Sequence, residues 1–106
     1  MSTFKHLSVE TLASMMEGGS PVVVDIRDAL SYHQGHIEDA QLLDNDSIQS
    51  FMGETDKSAS VVVCCYHGNS SQSAAAFLCQ QGFQDVYSLD GGFEGWRAAF
   101  PDRVSR

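Results

Sequence analysis

The segment VVVCCYHGNSSQSAAAFL occupies residues 61–78 and decides the fold. It begins with the continuous apolar run 61–64, which is typical of a strand buried on both faces of a parallel sheet. It leads into the small-residue stretch 71–81, which is closed by Gly82 and predicts a helix. The six residues between them, 65–70, therefore form a short loop that joins a strand to a helix.

This arrangement places the thiol of Cys65 at the carboxyl end of a buried strand, close to the first amides of a helix. Those N–H groups have no partner within the helix, and the positive end of the helix dipole favours negative charge. We therefore predict that Cys65 is a thiolate that attacks an electrophile. The alternative is a strand cysteine that packs as a small hydrophobe. The loop and the helix start favour catalysis.

The rest of the chain alternates strands with helices. Further strands are predicted at 21–26, 41–43 and 85–89. Further helices are predicted after a cap at Ser8, at 29–34, around 48–52 and from Gly92 to Phe100. This alternation indicates a parallel sheet covered on both faces. The expected fold is α/β, one domain over residues 1–106 with a parallel sheet of about four to five strands.

The composition of the chain argues against several classes of partner and location. The formal net charge of −8 argues against nucleic acid or an anionic membrane surface as a partner, since both require basic patches. The amino-terminal residues lack the apolar core of a signal peptide, and no apolar run approaches membrane-spanning length. Three cysteines cannot all pair with one another, so we expect free thiols and a cytoplasmic location.

Four motifs carry a family resemblance. They are the loop 65–70, Asp-Ile-Arg at 25–27, Gly-His-Ile at 35–37, and Asp-Gly-Gly-Phe-Glu-Gly-Trp at 90–96. Together the chain resembles the rhodanese family, and within it the single-domain thiosulfate sulfurtransferases of bacteria. The motifs occur in the family's order and cover nearly the whole chain.

The resemblance implies that sulfur moves from thiosulfate to cyanide or a thiol, through a persulfide on the catalytic Cys65. The acceptor would be cyanide, a small thiol or reduced thioredoxin, and no metal or organic cofactor is implied. The substrate would be bound by the remaining loop residues, Tyr66, His67, Gly68, Asn69 and Ser70. Many two-domain rhodaneses have basic residues in this loop. Their absence here predicts weak binding of thiosulfate.

Turn chemistry is the alternative role for the loop residues. Gly68 would supply a conformation that other residues resist, and Asn69 or Ser70 would cap the helix. We expect the backbone to contribute more than the side chains. His67 could act as a base or an anion partner, because a histidine can change its charge near neutral pH.

Other polar and thiol side chains are assigned to structure. We expect Cys64 and Cys79 to pack, the alternative being the resolution of an oxidised Cys65. Asp25 and Arg27 at a strand end more often tie loops together than act as acid and base. His33 and His36 have a metal-site spacing, but no third ligand lies at suitable spacing, so no metal site is predicted.

Several rival functions share parts of this pattern. A cysteine phosphatase needs an arginine where this chain has Ser71, and a thioredoxin-like oxidoreductase needs Cys-x-x-Cys. A non-catalytic regulatory module usually loses the nucleophile, which is present here. A persulfide relay that takes sulfur from a protein donor stays open, because its chemistry is the same. No exposed apolar stripe demands a dimer, so we expect a monomer or weak dimer.

Overall fold

The structure is a computed structural model that describes residues 3–19 and 21–106. Its strands are β1 (Lys5–Leu7), β2 (Val22–Asp25), β3 (His36–Ile37), β4 (Gln41–Leu42), β5 (Ser60–Cys64), β6 (Asp85–Leu89) and β7 (Val104–Ser105). Its helices are α1 (Val9–Gly18), α2 (Ala29–Gln34), α3 (Ile48–Glu54), α4 (Ser70–Gln80) and α5 (Gly92–Ala99). A short 3₁₀ helix, Pro101–Arg103, follows α5.

The main sheet has five parallel strands in the spatial order β1-β6-β5-β2-β4. The predicted α/β fold with a parallel sheet is therefore confirmed. Two features were not predicted: the edge strand β1, and a second sheet in which β3 and β7 pair antiparallel. No helix in ranges 3–19 and 21–106 has both the length and the apolar character needed to cross a membrane.

Helices cover both faces of the main sheet, and the side chains of β5 divide the core between them. Val62 and Cys64 belong to the cluster that includes residues of α1 and α5. Val61 and Val63 belong to the cluster that includes residues of α3 and α4. Alternate strand residues point to opposite faces, so burial on both faces explains why β5 is apolar throughout its length.

Side-chain caps start two helices where the sequence indicates. The hydroxyl of Ser8 accepts a hydrogen bond of 3.1 Å from the N–H of Thr11, and the carboxylate of Asp28 accepts one of 3.0 Å from Ser31. Asn69 precedes α4, but its side chain makes no capping hydrogen bond. The expectation that Asn69 caps this helix is wrong, because the N–H of Ser71 donates to Cys65 Sγ and the N–H of Gln72 donates to the backbone carbonyl of Asn69.

The carboxyl ends of β2, β5 and β6 lie side by side at one edge of the sheet. The backbone N–H of Ile26 extends the ladder by donating to the carbonyl of Cys64 over 3.0 Å. The segments that follow these strands therefore meet at the edge where parallel sheets place their ligand sites. Cys65 lies in the middle segment.

Candidate active site

The sulfur of Cys65 lies among hydrogen-bond donors. Its Sγ accepts hydrogen bonds from the backbone N–H groups of Gly68, at 3.1 Å, and Ser71, at 3.3 Å. The hydroxyl of Ser71 lies 3.3 Å from the same sulfur. Cys65 is only 3% exposed, yet it belongs to neither apolar core cluster. The thiol therefore forms the floor of a polar cradle.

These contacts favour the charged form of the thiol. Burial raises the pKa of Cys65, but hydrogen bonds from the side chain and backbone of Ser71 and from the backbone N–H groups of Gly68 and His67 lower it. The net result is a pKa below the ordinary value of a cysteine. Hydrogen bonds to a thiolate thus outweigh the loss of water around it.

The neighbouring cysteine has the opposite environment. Cys64 is fully buried in the apolar cluster beneath α1 and α5, and burial together with the nearby charge of Asp25 raises its pKa. Cys79 is half-buried against the other cluster, and burial raises its pKa as well. Both are free thiols. Their apolar surroundings agree with the packing role expected for them.

The loop is held in shape by its own glycine and by α4. Gly68 has a φ of +96°, and a Cβ at this position would lie 3.1 Å from the N of Gly91 and the carbonyl oxygen of Leu89. The side-chain amide of Gln72 donates a 2.9 Å hydrogen bond to the carbonyl of Gly68. The predicted role of Gly68 as a residue of special conformation is confirmed.

The start of α5 also shapes the loop. The N–H of Phe93 donates to the carbonyl of Cys65 at 2.8 Å, and the N–H of Glu94 donates to the carbonyl of Tyr66 at 3.1 Å. Gly92 has a φ of +58°, and a Cβ there would lie 2.5 Å from the carbonyl oxygen of Cys65. The double glycine therefore permits the close backbone approach that its sequence suggests.

The side chains of the loop are largely exposed to solvent. His67, Asn69 and Ser70 are exposed, and Tyr66 is 40% exposed. The inward-facing donors are mainly backbone groups, as the sequence analysis expected. Ser70 is the first residue of α4 rather than its cap.

Tyr66 is tied to the start of α2. Its hydroxyl donates to the carboxylate of Asp28 and lies 2.8 Å from the hydroxyl of Ser31. Hydrogen bonds from Tyr66 and then from Ser31 lower the pKa of Asp28 to about 2. The guanidinium of Arg27 lies 5.6 Å from the centre of the Tyr66 ring. The loop is thereby connected to the segment that follows β2.

Asp25 and Arg27 form a buried ion pair. The Nη2 of Arg27 donates to Asp25 at 2.7 Å and to the carbonyl of Gly35 at 2.7 Å, and both side chains are at most 3% exposed. The guanidinium also lies 4.2 Å from the centre of the Phe93 ring. The expected structural role is confirmed, because the pair ties the end of β2 to the end of α2.

Of the two histidines with a metal-site spacing, His36 has contacts within the protein and His33 is exposed to solvent. His36 is half-buried; its Nδ1 lies 2.8 Å from the carbonyl of Tyr32, and its ring stacks on the Tyr32 ring at 4.0 Å. His36 is therefore a partly buried histidine whose ring already has a hydrogen-bond partner and a stacking partner. His33 is exposed.

Sequence reasoning missed two kinds of residue near the site. Ser71 touches the sulfur and Ser88 touches Ser71, yet each is an ordinary serine in a helix or a strand. Basic side chains, absent from the loop itself, reach its flank from other elements. A cavity of about 330 Å³ beside Tyr66 is lined in part by Arg97 and Arg106, which were not predicted to lie here, and by Arg27, which the sequence placed at a strand end. Only the tertiary fold brings these groups together, so no local pattern could reveal them.

Comparisons with known proteins agree with this geometry. The family model described as a Rhodanese-like domain matches residues 8–99. Thiosulfate sulfurtransferase GlpE of Shewanella oneidensis is 54% identical over 99 residues, which cover 93% of this chain and 98% of the relative. The protein of the same name from Pseudomonas fluorescens strain SBW25 is 55% identical over 105 residues, covering 99% of this chain and 95% of the relative.

A solved structure shows the same fold. The solution structure of the rhodanese-like domain from the Anabaena sp. Alr3790 protein superposes with a TM-score of 0.79 at 28% identity. The match covers 89% of this chain and 74% of that chain. The parallel sheet, the cysteine loop between β5 and α4, and these matches show that the chain belongs to the rhodanese-like family.

Proposed function

We propose that this protein is a thiosulfate sulfurtransferase that works through a persulfide on Cys65. The observation that carries the proposal is the set of polar groups around one sulfur: two backbone N–H groups that donate to Cys65 Sγ, and the Ser71 hydroxyl, all within 3.3 Å of it. Relatives named thiosulfate sulfurtransferase match almost the full length of the chain, which supports this substrate.

The first half-reaction loads the sulfur. The Cys65 thiolate attacks the outer sulfur of thiosulfate, the S–S bond of thiosulfate breaks, and its electron pair leaves with sulfite. The product is a Cys65 persulfide whose outer sulfur carries the negative charge. Tyr66, His67, Gly68, Asn69 and Ser70 form the loop that follows Cys65. We propose that these residues bind the substrate and that their backbone N–H groups hold the persulfide.

The second half-reaction releases the sulfur. A nucleophilic acceptor attacks the outer sulfur, the persulfide S–S bond breaks, and the electron pair returns to Cys65 as a thiolate. Cyanide would give thiocyanate, and a small thiol or reduced thioredoxin would give a new persulfide. No step requires a metal or an organic cofactor.

We expect thiosulfate to bind weakly in spite of the arginines beside Tyr66. Arg27 is paired with Asp25 and Arg97 with Glu94, so much of the positive charge at the cavity is already matched. The protein as a whole carries a formal charge of −8, which opposes the approach of a dianion.

We further propose one rhodanese domain over residues 1–106, acting in the cytoplasm as a monomer or weak dimer. The family model covers residues 8–99, which supports the single domain. The three cysteines are free, which suits a reducing compartment. Within the described ranges, the large apolar side chains that are exposed lie on different elements, namely Leu30, Tyr66 and Phe77.

Intact-mass measurement tests the proposal directly. After treatment with thiosulfate the protein should gain one sulfur atom, and subsequent cyanide should remove it with formation of thiocyanate. Cys65→Ser should gain nothing. Failure of the natural protein to gain sulfur from thiosulfate would contradict the proposal. Gain only from a protein persulfide would instead favour a persulfide relay.

The same loop makes phosphatase activity a poor alternative. Ser71 stands where a phosphatase requires its arginine, and it is fully buried against Cys65 instead of reaching a substrate phosphate. We therefore expect no hydrolysis of an aryl phosphate, which a colorimetric assay would show.

A further inference from the structure

Two buried serines stand behind the sulfur of Cys65. Ser71 lies in the first turn of α4 and Ser88 in β6, and both are completely buried. Their hydroxyl oxygens are 2.7 Å apart, and the Ser71 oxygen is 3.3 Å from Cys65 Sγ. The three side chains form a continuous hydrogen-bonded row from the sulfur into the protein interior.

The direction of this row is set by the charge of the sulfur. A thiolate can only accept, so Ser71 must point its single O–H at Sγ and its lone pairs are left to accept the O–H of Ser88. A neutral thiol can donate to Ser71, which then donates to Ser88. Each hydroxyl has one proton and can rotate about its C–O bond. The hydrogen bonds can therefore reverse direction between the thiolate and the neutral thiol of Cys65, and the Ser71 hydroxyl is hydrogen-bonded in both forms.

Charge on Sγ appears only at certain stages of sulfur transfer. In the free enzyme the negative charge lies on Sγ, and in the persulfide it moves to the outer sulfur. It returns to Sγ when an acceptor takes that sulfur. Ser71 contacts Sγ itself from the interior, so it is placed to stabilise the first and last of these stages more than the persulfide.

We propose that Ser71 is a further catalytic residue and that Ser88 is a positioning residue, the two together stabilising negative charge on Cys65 Sγ. Ser71 touches the reacting sulfur, whereas Ser88 acts by donating to Ser71. The account of the two half-reactions rests on the proposed sulfurtransferase function. The stabilisation of the thiolate does not, and it can be measured without any sulfur transfer.

Other ionisable groups surround the loop and must be held constant in the test. Those on the neighbouring elements are Asp25, Arg27, Asp28, Cys64, Tyr66, His67, Asp90 with its partner His6, Glu94, Arg97 and Arg106. Helix α4 carries no charged side chain, and its one thiol is Cys79. Replacing the serines leaves all of these groups unchanged.

The decisive experiment is the pH dependence of alkylation of Cys65 by iodoacetamide, followed by mass spectrometry of the labelled peptide in a Cys79→Ser background. Ser71→Ala should move the midpoint of the profile to higher pH by about one to two units, the equivalent of one hydrogen bond to a charged group. Ser88→Ala should move it in the same direction by less. Ser73→Ala, an exposed serine on the same helix, should leave it in place.

Non-additivity separates this role from simple packing. The Ser71→Ala/Ser88→Ala double variant should have the midpoint of Ser71→Ala alone, because Ser88 acts only through Ser71. An unchanged midpoint in either single variant, or a double variant whose shift is the sum of the two, would overturn the proposal. His67→Gln added to each variant removes the imidazole titration and should not alter these differences.

Two further measurements complete the test. Ser88→Thr and Ser88→Val introduce side chains of similar shape, but only threonine keeps the hydroxyl. Ser88→Val should therefore raise the midpoint and Ser88→Thr should not. Equal midpoints for these two variants would count against the role of Ser88, even if Ser88→Ala does not fold.

In the sulfur-release step, Ser71→Ala should transfer sulfur from its persulfide to cyanide about 10-fold more slowly than the natural protein. Absence of any persulfide in the natural protein would refute the proposed function while leaving the alkylation result valid.

Discussion

The side-chain amide of Gln72 donates a hydrogen bond of 2.9 Å to the carbonyl oxygen of Gly68. Gly68 in turn uses its N–H to bind Cys65 Sγ. A residue in the first turn of α4 therefore braces the loop that binds the sulfur, although its side chain does not touch the sulfur. Gln72 couples the helix to the shape of the loop.

Gln72→Ala should loosen the loop and lower kcat/KM for thiosulfate by about 2–10-fold, the equivalent of one neutral hydrogen bond. The free energy of unfolding should change by less than about 1 kcal/mol, since the site is near the surface. Steady-state kinetics and urea denaturation would measure both. Gln80→Ala, at an exposed position of the same helix, is the matched control and should leave activity unchanged.

Gly92→Ala should damage both stability and activity. The substitution adds a Cβ that would lie 2.5 Å from the carbonyl oxygen of Cys65, at a residue whose φ is +58°. The backbone strain and the clash together should cost about 3 kcal/mol or more. Gly53→Ala in α3 meets no atom within 4 Å and should stabilise the protein by about 0.5 kcal/mol. Equal unfolding midpoints for the two variants would contradict the close approach.

Removal of Arg27 should be far more costly than removal of an exposed arginine. Arg27→Met leaves the carboxylate of Asp25 buried without its partner, which should cost about 3–5 kcal/mol. Arg97→Met breaks an exposed pair with Glu94 and should cost about 0.2–1 kcal/mol. Chemical denaturation at pH 7 would measure both. Similar losses in the two variants would show that the buried pair has no special role.

The contact between Tyr66 and Asp28 should give stability that depends on pH. The pKa of Asp28 is lowered to about 2 in the folded protein, from an ordinary value of 3.8. Folding therefore favours the carboxylate, and this contribution is present above about pH 4 and is lost as the pH falls towards 2.

Tyr66→Phe should accordingly be less stable than the natural protein at pH 5–7, and the difference should shrink between pH 4 and pH 2. NMR titration should show the pKa of Asp28 rising in this variant. Tyr32→Phe is the control, because the Tyr32 hydroxyl donates to the carbonyl of Ala40 and not to a carboxylate. Its effect on stability should be the same from pH 6 to pH 2.

Cys65→Ser should abolish sulfur transfer without loss of the fold, because serine has a similar size and the cradle is polar. Cys79→Ser should retain full activity, since Cys79 lies in α4 against the core. Assays of thiocyanate formation, with circular dichroism to verify folding, would measure both. Retained turnover in Cys65→Ser would refute its assignment as the nucleophile.

Local sequence signals were sufficient to predict many of the helices and strands. The end of helix 29–34 could be predicted because Gly35 follows it, and the structure adds that Asp28 caps its start. The strand 85–89 was likewise marked by its apolar pattern. Strands β1, β3 and β7 were missed because each has only two or three residues and no distinctive apolar pattern, whereas the equally short β4 is marked by Leu42 and Leu43.

The candidate active site could be predicted only where local sequence signals mark its residues. Cys65 and Gly68 are marked by their position between a strand and a helix, which is a local property. The capping role of Asn69 was wrong because the N–H of Ser71, which a cap would bind, donates to the sulfur instead. Ser71 and Ser88 could not be identified as a pair, since they are 17 positions apart and meet only across the packed interface of α4 and β6.

The donors that face the sulfur are largely main-chain groups, whereas the side chains of His67, Asn69 and Ser70 are exposed. Every amino acid other than proline offers the same N–H. The main chain of the loop thus binds the sulfur, whereas its exposed side chains are free to contact molecules outside. We therefore expect libraries that randomise these three positions, proline excepted, to change the outward contacts of the loop while the nucleophile keeps its environment.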